Sequence, residues 1–222
     1  MERTIRVTGK GNLLVKPDQI RLIMELEGSE FGYEDTLKLS VKKVEDLKDV
    51  FEKLGFERKE LKTTYFNVDT KYESYQAKDK SWKRRFEGYE FKHNLKIEFD
   101  ADNEVLGRVL YALSHSPVAP EFRIVYTVKD METTKNKLLA KAVADSKEKA
   151  TVLTTAAGVH LGDILTIDYS WGEVEFTTSP MSKLMEPMEL SERCMSAASY
   201  DMDIEPDDID VTDTVTVVWS IK

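Results

Sequence analysis

The stretch 33–54 restricts what this chain can fold into more than any other. Leu37, Val41, Val44, Leu47, Phe51 and Leu54 recur at steps of three and four, with Lys38, Lys42, Lys43, Glu45, Asp46, Lys48, Asp49, Glu52 and Lys53 between them. A helix on that pattern buries one stripe and wets the rest. Gly55 ends it, because glycine takes the left-handed conformation at a helix terminus without a Cβ clash. A run rich in branched apolar residues, 19–28, precedes the helix and an extended stretch, 61–75, follows it. The neighbourhood is therefore of βαβ type.

The remaining elements follow from the same signals. Ile5 and Val7, then Leu13 and Val15, read as a short strand pair broken by a turn at Gly9-Lys10-Gly11-Asn12, and Lys16-Pro17-Asp18 punctuates the chain next. Between 86 and 99, Tyr89, Phe91, His93, Leu95, Ile97 and Phe99 alternate with polar residues, the clearest period of two in the sequence. This strand is expected to pair with 61–75 across a charged tip at 78–85. A shorter helix is expected over 103–114 with Asp102 as N-cap, a strand over 121–128, and a long helix over 130–157 stopped by Gly158. The packing side of that helix is read as Leu138, Leu139, Ala142, Val143, Ala150, Leu153 and Ala157, its alanines allowing close approach to a neighbour. Strands over 164–171 and 209–221 flank a mostly irregular segment, 172–208, rich in Met and acidic residues.

Gly158 follows Gly55 by 103 positions, and the same offset carries Asp18 to Glu121 and Leu61-Lys62-Thr63 to Ile164-Leu165-Thr166. Two βαββ-like halves are expected, about 18–99 and 121–221, joined by the short helix. The predicted fold class is α+β: one domain over 1–222, its largely antiparallel sheet covered on one face by two long helices and one shorter helix. At 222 residues the chain needs no staples, since a domain of this size buries roughly 70% or more of its unfolded surface.

Charge narrows the function classes. The formal net charge is −9, and between 186 and 213 ten acidic residues face Arg193 alone, so this segment carries the whole excess. Such a chain has no general attraction for nucleic acid or an anionic membrane. No apolar run approaches the ~20 residues of a membrane helix. Met1 is followed directly by Glu2, Arg3 and a strand-like stretch without the apolar core of a secretory signal. The expectation is a cytoplasmic protein if the chain is full length, and a periplasmic or envelope protein if an export signal has been removed. The single cysteine, Cys194, excludes an internal disulfide.

The landmarks, in their order and spacing, resemble a known family. They are Ile5-Arg6-Val7-Thr8-Gly9-Lys10-Gly11, Lys16-Pro17-Asp18, Leu54-Gly55-Phe56, Leu61-Lys62-Thr63-Thr64-Tyr65, Gly88-Tyr89 leading to Asn94, Ala157-Gly158, and Leu161-Gly162 before Ile164. Together they are similar to the SIMPL-domain, or YggE-like, family over nearly the whole chain. The resemblance implies an α+β domain that assembles into rings or channel-like oligomers in some members, without an established enzymatic activity. Many relatives are exported to the periplasm or envelope and are loosely associated with stress responses. It supplies no catalytic residues.

No constellation of side chains in the sequence spells out a reaction. Cys194 lies among Glu189, Glu192 and Arg193, surroundings that do not favour a thiolate. His93, His115 and His160 lack the i, i+4 spacing of a zinc helix, and Gly9-Lys10-Gly11 lacks the remaining parts of a phosphate loop. No cofactor is expected. Asp201, Asp203, Glu205, Asp207 and Asp208 mimic part of a calcium loop but lack its central glycine and terminal glutamate, and read first as a solvated loop. Met181, Met185, Met188, Met195 and Met202 read as adaptive packing, with a soft-metal site as the other reading. Lys78, Lys80, Lys83, Arg84 and Arg85 around Trp82 form a basic tip with three readings: a wet hairpin end that discourages aggregation, a nucleic-acid contact, or a contact with the acidic tract of another subunit.

The function expected is a non-enzymatic, self-associating scaffold or protein-interaction module, a homo-oligomer with no nucleic-acid partner. Its contact candidates are Lys80, Trp82, Lys83, Arg84, Arg85, Met181, Met185 and Met188. The alternative is a ligand- or metal-binding stress-related protein using the acidic tract.

Overall fold

The computed structural model describes residues 3–78, 80–169, 174–178, 200 and 204–222. Its strands are β1 (Thr4–Val15), β2 (Gln19–Glu30), β3 (Lys62–Gln76), β4 (Trp82–Asp100), β5 (Glu121–Thr127), β6 (Leu161–Asp168), β7 (Thr177–Thr178) and β8 (Ile209–Ile221). Its helices are α1 (Tyr33–Lys53), α2 (Asn103–Ser114) and α3 (Met131–Ala156). The fold is α+β, with the strands in a three-stranded sheet ordered β1-β8-β6 and a five-stranded sheet ordered β3-β4-β2-β5-β7. Contacts group the chain into two compact units, one of Met1–Asp18, Tyr126–Thr178 and Pro206–Lys222, the other of Gln19–Val125 and Ser179–Glu205.

In the first unit β8 is the central strand. It pairs antiparallel with β1 without a slip from Thr4↔Ser220 to Val15↔Ile209, and with β6 on its other side. Alternation of Val211, Val215, Val217 and Trp219 puts one face of β8 in the core. The long helix α3 lies against β1 and β8. It buries Leu138, Ala142, Ser146, Ala150 and Thr154, a strict i, i+4 stripe of mostly small residues. Gly9 and Gly11 face that stripe: a Cβ on Gly9 would stand 1.9 Å from the Ala142 carbonyl oxygen, and one on Gly11 2.2 Å from that of Leu138. The expected turn at residues 9–12 is instead the middle of one continuous strand. The two glycines are there because helix backbone passes over them, a contact that sequence spacing does not show.

In the second unit α1 packs on β2 and β4, burying Ile20, Leu22, Met24 and Leu26 from one strand and Phe91, Leu95, Ile97 and Phe99 from the other. Both long helices end as predicted, with Gly55 at φ 95° and Gly158 at φ 72°. At the end of α1, Phe56 N–H donates to the Phe51 carbonyl and Gly55 N–H to that of Glu52, with the Phe51 and Phe56 rings 5.7 Å apart. Asp102 caps α2 as expected, accepting from the N–H groups of Glu104 and Val105. The stripe of α1 is rotated from the expected one in its first turns. Thr36 and Ser40 are buried while Val41 is 63% exposed, because Thr36 bonds back to the Gly32 carbonyl and Ser40 to His93.

The two sheets contain the orders β3-β4-β2 and β6-β8-β1, with β1 beside β8. Only the last two residues of β5, Tyr126 and Thr127, belong to the first unit, where they pair with Thr178 and Thr177 of β7.

Candidate interaction site

β2 ends where Glu30 pairs with Tyr89, but β3 and β4 run on together. Beyond that point Lys71 pairs with Gly88 and, after a bulge that leaves Glu87 extra, Tyr72 with Phe86 and so on to Gln76 with Trp82. At about 3.3 Å per residue this two-stranded ribbon reaches about 20 Å past the end of β2. Its turn is closed by Ala77 N–H donating to the Ser81 carbonyl and Lys80 N–H to that of Ala77, with Lys80 itself at φ 61°. The charged tip is therefore shorter than expected: Trp82, Lys83, Arg84 and Arg85 are strand residues of β4, and only Lys80 of the five predicted contacts there lies in the turn.

Register sorts these side chains into two faces. One carries Tyr72, Phe86, Arg84 and Trp82, continuous at its base with Tyr89. Ring contacts join Phe86 to Tyr89 at 5.4 Å, to Tyr72 at 5.8 Å and to Phe31 at 5.8 Å, and Tyr89 to Tyr33 at 5.2 Å. The Arg84 guanidinium sits 4.8 Å from the centre of the Tyr72 ring. This aromatic strip faces solvent, with Phe31 74%, Trp82 73% and Tyr33 52% exposed. The opposite face carries Lys83, Tyr75 and Arg85, the last bonded to Glu73 at 2.6 Å. Among the described residues no carboxylate bonds Lys80 or Lys83.

The sequence marks the basic residues and Trp82 as a local cluster but does not join Phe31, Tyr33, Tyr72, Phe86 and Tyr89 to it. The signal was available in part, since Tyr72 and Phe86 sit on strands whose register fixes them side by side. Phe31 comes from the link between β2 and α1 and Tyr33 from the first residue of α1, which only the tertiary structure brings to the ribbon. Met181, Met185, Met188, Asp201 and Asp203 lie outside the described residues. Glu205, Asp207 and Asp208 are exposed, and among the described residues no three His, Cys, Asp or Glu side chains gather as metal ligands.

Elsewhere in the second unit, His93 and Lys92 are paired with neighbouring side chains, while Asn94 Oδ1 is buried without a hydrogen-bond partner among the described residues. His93 is held between two hydroxyls, Ser40 Oγ 3.2 Å from Nδ1 and Thr63 Oγ1 2.8 Å from Nε2. Burial, with the nearby Lys48 charge, holds its pKa below the ordinary histidine value. Ser40 is 2% exposed, and its contact with His93 ties α1 to β4; among the described residues no carboxylate bonds the imidazole. A groove of about 460 Å³ on the open sheet face is lined by Glu27, Ser29, Asp69, Lys71, Glu90 and Lys92. Lys92 there is paired: bonds from Glu25 and Glu27 push its pKa up, and the Lys92 bond holds that of Glu25 down.

The SIMPL family model, described as a protein of unknown function (DUF541), matches residues 5–219. The chain is a SIMPL-family protein. Its match runs from β1 through most of β8, so both units of this SIMPL protein are family structure. The family description names no catalytic role. No curated protein matches the chain. Among the described residues no helix is long and apolar enough to cross a membrane.

Proposed function

We propose that this SIMPL protein is a non-enzymatic interaction module that self-associates through the β3–β4 ribbon. The observation that carries the reading is the aromatic strip running from Tyr33 to Trp82 on a ribbon that reaches past the sheet. A two-stranded ribbon alone in water is marginally stable, and this one presents aromatic rings that a monomer gains nothing by exposing. Aromatic and arginine side chains are also the residue types that carry most of the binding energy at protein interfaces. A scaffold role also suits His93 and Lys92, whose side chains are committed to neighbouring hydroxyls and carboxylates.

Sedimentation velocity on the full chain tests this. The parent protein is expected to show a mass that rises with concentration. Trp82→Ser is expected to weaken the association by about 2 kcal/mol, roughly 30-fold, with the far-ultraviolet circular dichroism unchanged because the side chain lies in solvent. Equal mass distributions for parent and variant would remove the ribbon from the interface, and a parent that stays monomeric would remove self-association itself.

A further inference from the structure

β3 is an edge strand: β4 lies on one side of it, and among the described residues no strand pairs with the other. From Tyr65 to Gln76 it has neither a proline nor an extra residue, since the bulge in this part of the ladder belongs to β4. Sheet edges in natural proteins are usually guarded against pairing with another chain. The free edge of β4 beyond β2 is guarded in this way, because Lys83, Arg84 and Arg85 stand in a row and two such edges would oppose like charges. The β3 edge is arranged in the opposite sense. Asp69 precedes Thr70 and Lys71 follows it, and neither makes an ion pair among the described residues: Asp69 accepts from Asn67 at 2.6 Å and Lys71 donates to Ser29 at 3.2 Å.

Resting on the self-association reading above, we infer that β3 of one copy pairs antiparallel with β3 of a second copy across a two-fold axis at Thr70. That register opposes Asp69 to Lys71 twice, and also Asn67 to Glu73, Val68 to Tyr72, Phe66 to Ser74 and Tyr65 to Tyr75. Tyr65, Phe66, Tyr72 and Tyr75, all exposed in one copy, each gain a neighbour. Other centres fit worse. On Asp69 or on Lys71 that charge meets its own copy, on Val68 both charges face uncharged residues, and on Tyr72 Asp69 faces Tyr75. The contact also supports the ribbon. Residues 72–75 of each copy, which lie beyond the end of β2, run beside residues 65–68 of the other, so each two-stranded ribbon gains a third strand. A two-fold contact closes on itself, and its product is a dimer.

Charge exchange in the full chain, followed by sedimentation velocity, tests the pairing. Asp69→Lys sets lysines against Lys71 on both sides of the axis, and Lys71→Asp sets carboxylates against Asp69. Each alone is expected to weaken association at least about tenfold. The double variant Asp69→Lys/Lys71→Asp is expected to return to within about threefold of the parent, and so is an equal mixture of the two single variants, because opposite charges face each other again. Disulfide trapping tests the register. In a Cys194→Ser chain oxidised with diamide, Thr70→Cys is expected to give a covalent dimer, since directly opposed residues have Cα atoms about 4.5–5.5 Å apart, within disulfide reach. Val68→Cys is expected to stay uncrosslinked.

Charge variants that all associate like the parent, with Trp82→Ser still weaker, would overturn the β3 pairing and leave the ribbon reading standing. So would β3 amides whose protection from hydrogen exchange is unchanged on dilution to the monomer, since the edge would then be closed within one copy. Crosslinking through Val68→Cys in place of Thr70→Cys would overturn the axis at Thr70. A parent that is monomeric throughout would overturn both readings.

Discussion

Gly9 shows how much of this fold rests on single atoms. A Cβ there would lie 1.9 Å from the Ala142 oxygen and 2.5 Å from the Ser146 nitrogen, both helix backbone that has no side-chain freedom to give way. Ser146 meanwhile donates to the Val7 carbonyl at 3.3 Å, tying the same helix to the same strand. Gly9→Ala is expected to push α3 off β1 and cost about 2–3 kcal/mol, read as a lower urea midpoint. His93 is the second residue with a measurable signature. The unfolded chain takes up a proton near the ordinary value of 6.5 while the folded imidazole resists it. Stability is therefore expected to fall as pH drops through 6.5 and to level off below the folded pKa. His93→Gln keeps a hydrogen-bonding side chain between Ser40 and Thr63 without the titration. The urea midpoint of the variant is expected to change less than that of the parent between about pH 7.5 and about pH 5.5.

Among the elements, the ribbon is the one whose direction is set by a single backbone conformation. Gly88 has φ 136°, where L side chains are strained, and a Cβ on it would meet the Glu30 carbonyl oxygen at 2.3 Å. It sits where β4 loses β2 as a partner and next to the bulge at residue 87, and bulges re-aim the strands that carry them. Gly88→Ala is expected to redirect or loosen the ribbon while leaving the α1 core in place. Hydrogen exchange checks this: amides of residues 72–76 and 82–87 lose protection, and those of 91–99 keep theirs. The helices behave differently, because their ends are fixed by local chemistry. α1 and α3 each stop at a glycine whose amide, with that of the next residue, closes onto the last turn, and α2 starts at Asp102.

At the scale of the molecule, the α+β class and the order of elements were legible from residue spacing, since caps, stop glycines and hydrophobic periods act over a few residues. The placement of strands was not. Thr4 pairs with Ser220 across almost the full length of the chain, and nothing in the β1 sequence names β8 as its neighbour. The strand set β6-β8-β1 with α3 closes only because the last element returns to the first. The candidate site divides in the same way. Lys80, Trp82, Lys83, Arg84 and Arg85 stood out as a local cluster of charge around an aromatic, but the strip from Tyr33 to Trp82 is assembled from the start of α1 and two strands. The sequence by itself determined where helices begin and end and which faces of strands are dry, because those follow from neighbours two to four positions away. Only the tertiary structure decided that β1 lies beside β8, that Gly9 is a packing residue rather than a turn, and that aromatic rings line one face of a projecting ribbon. Each of these depends on contacts between residues far apart in the chain, where loop closure and side-chain fit, rather than local preference, select the partner.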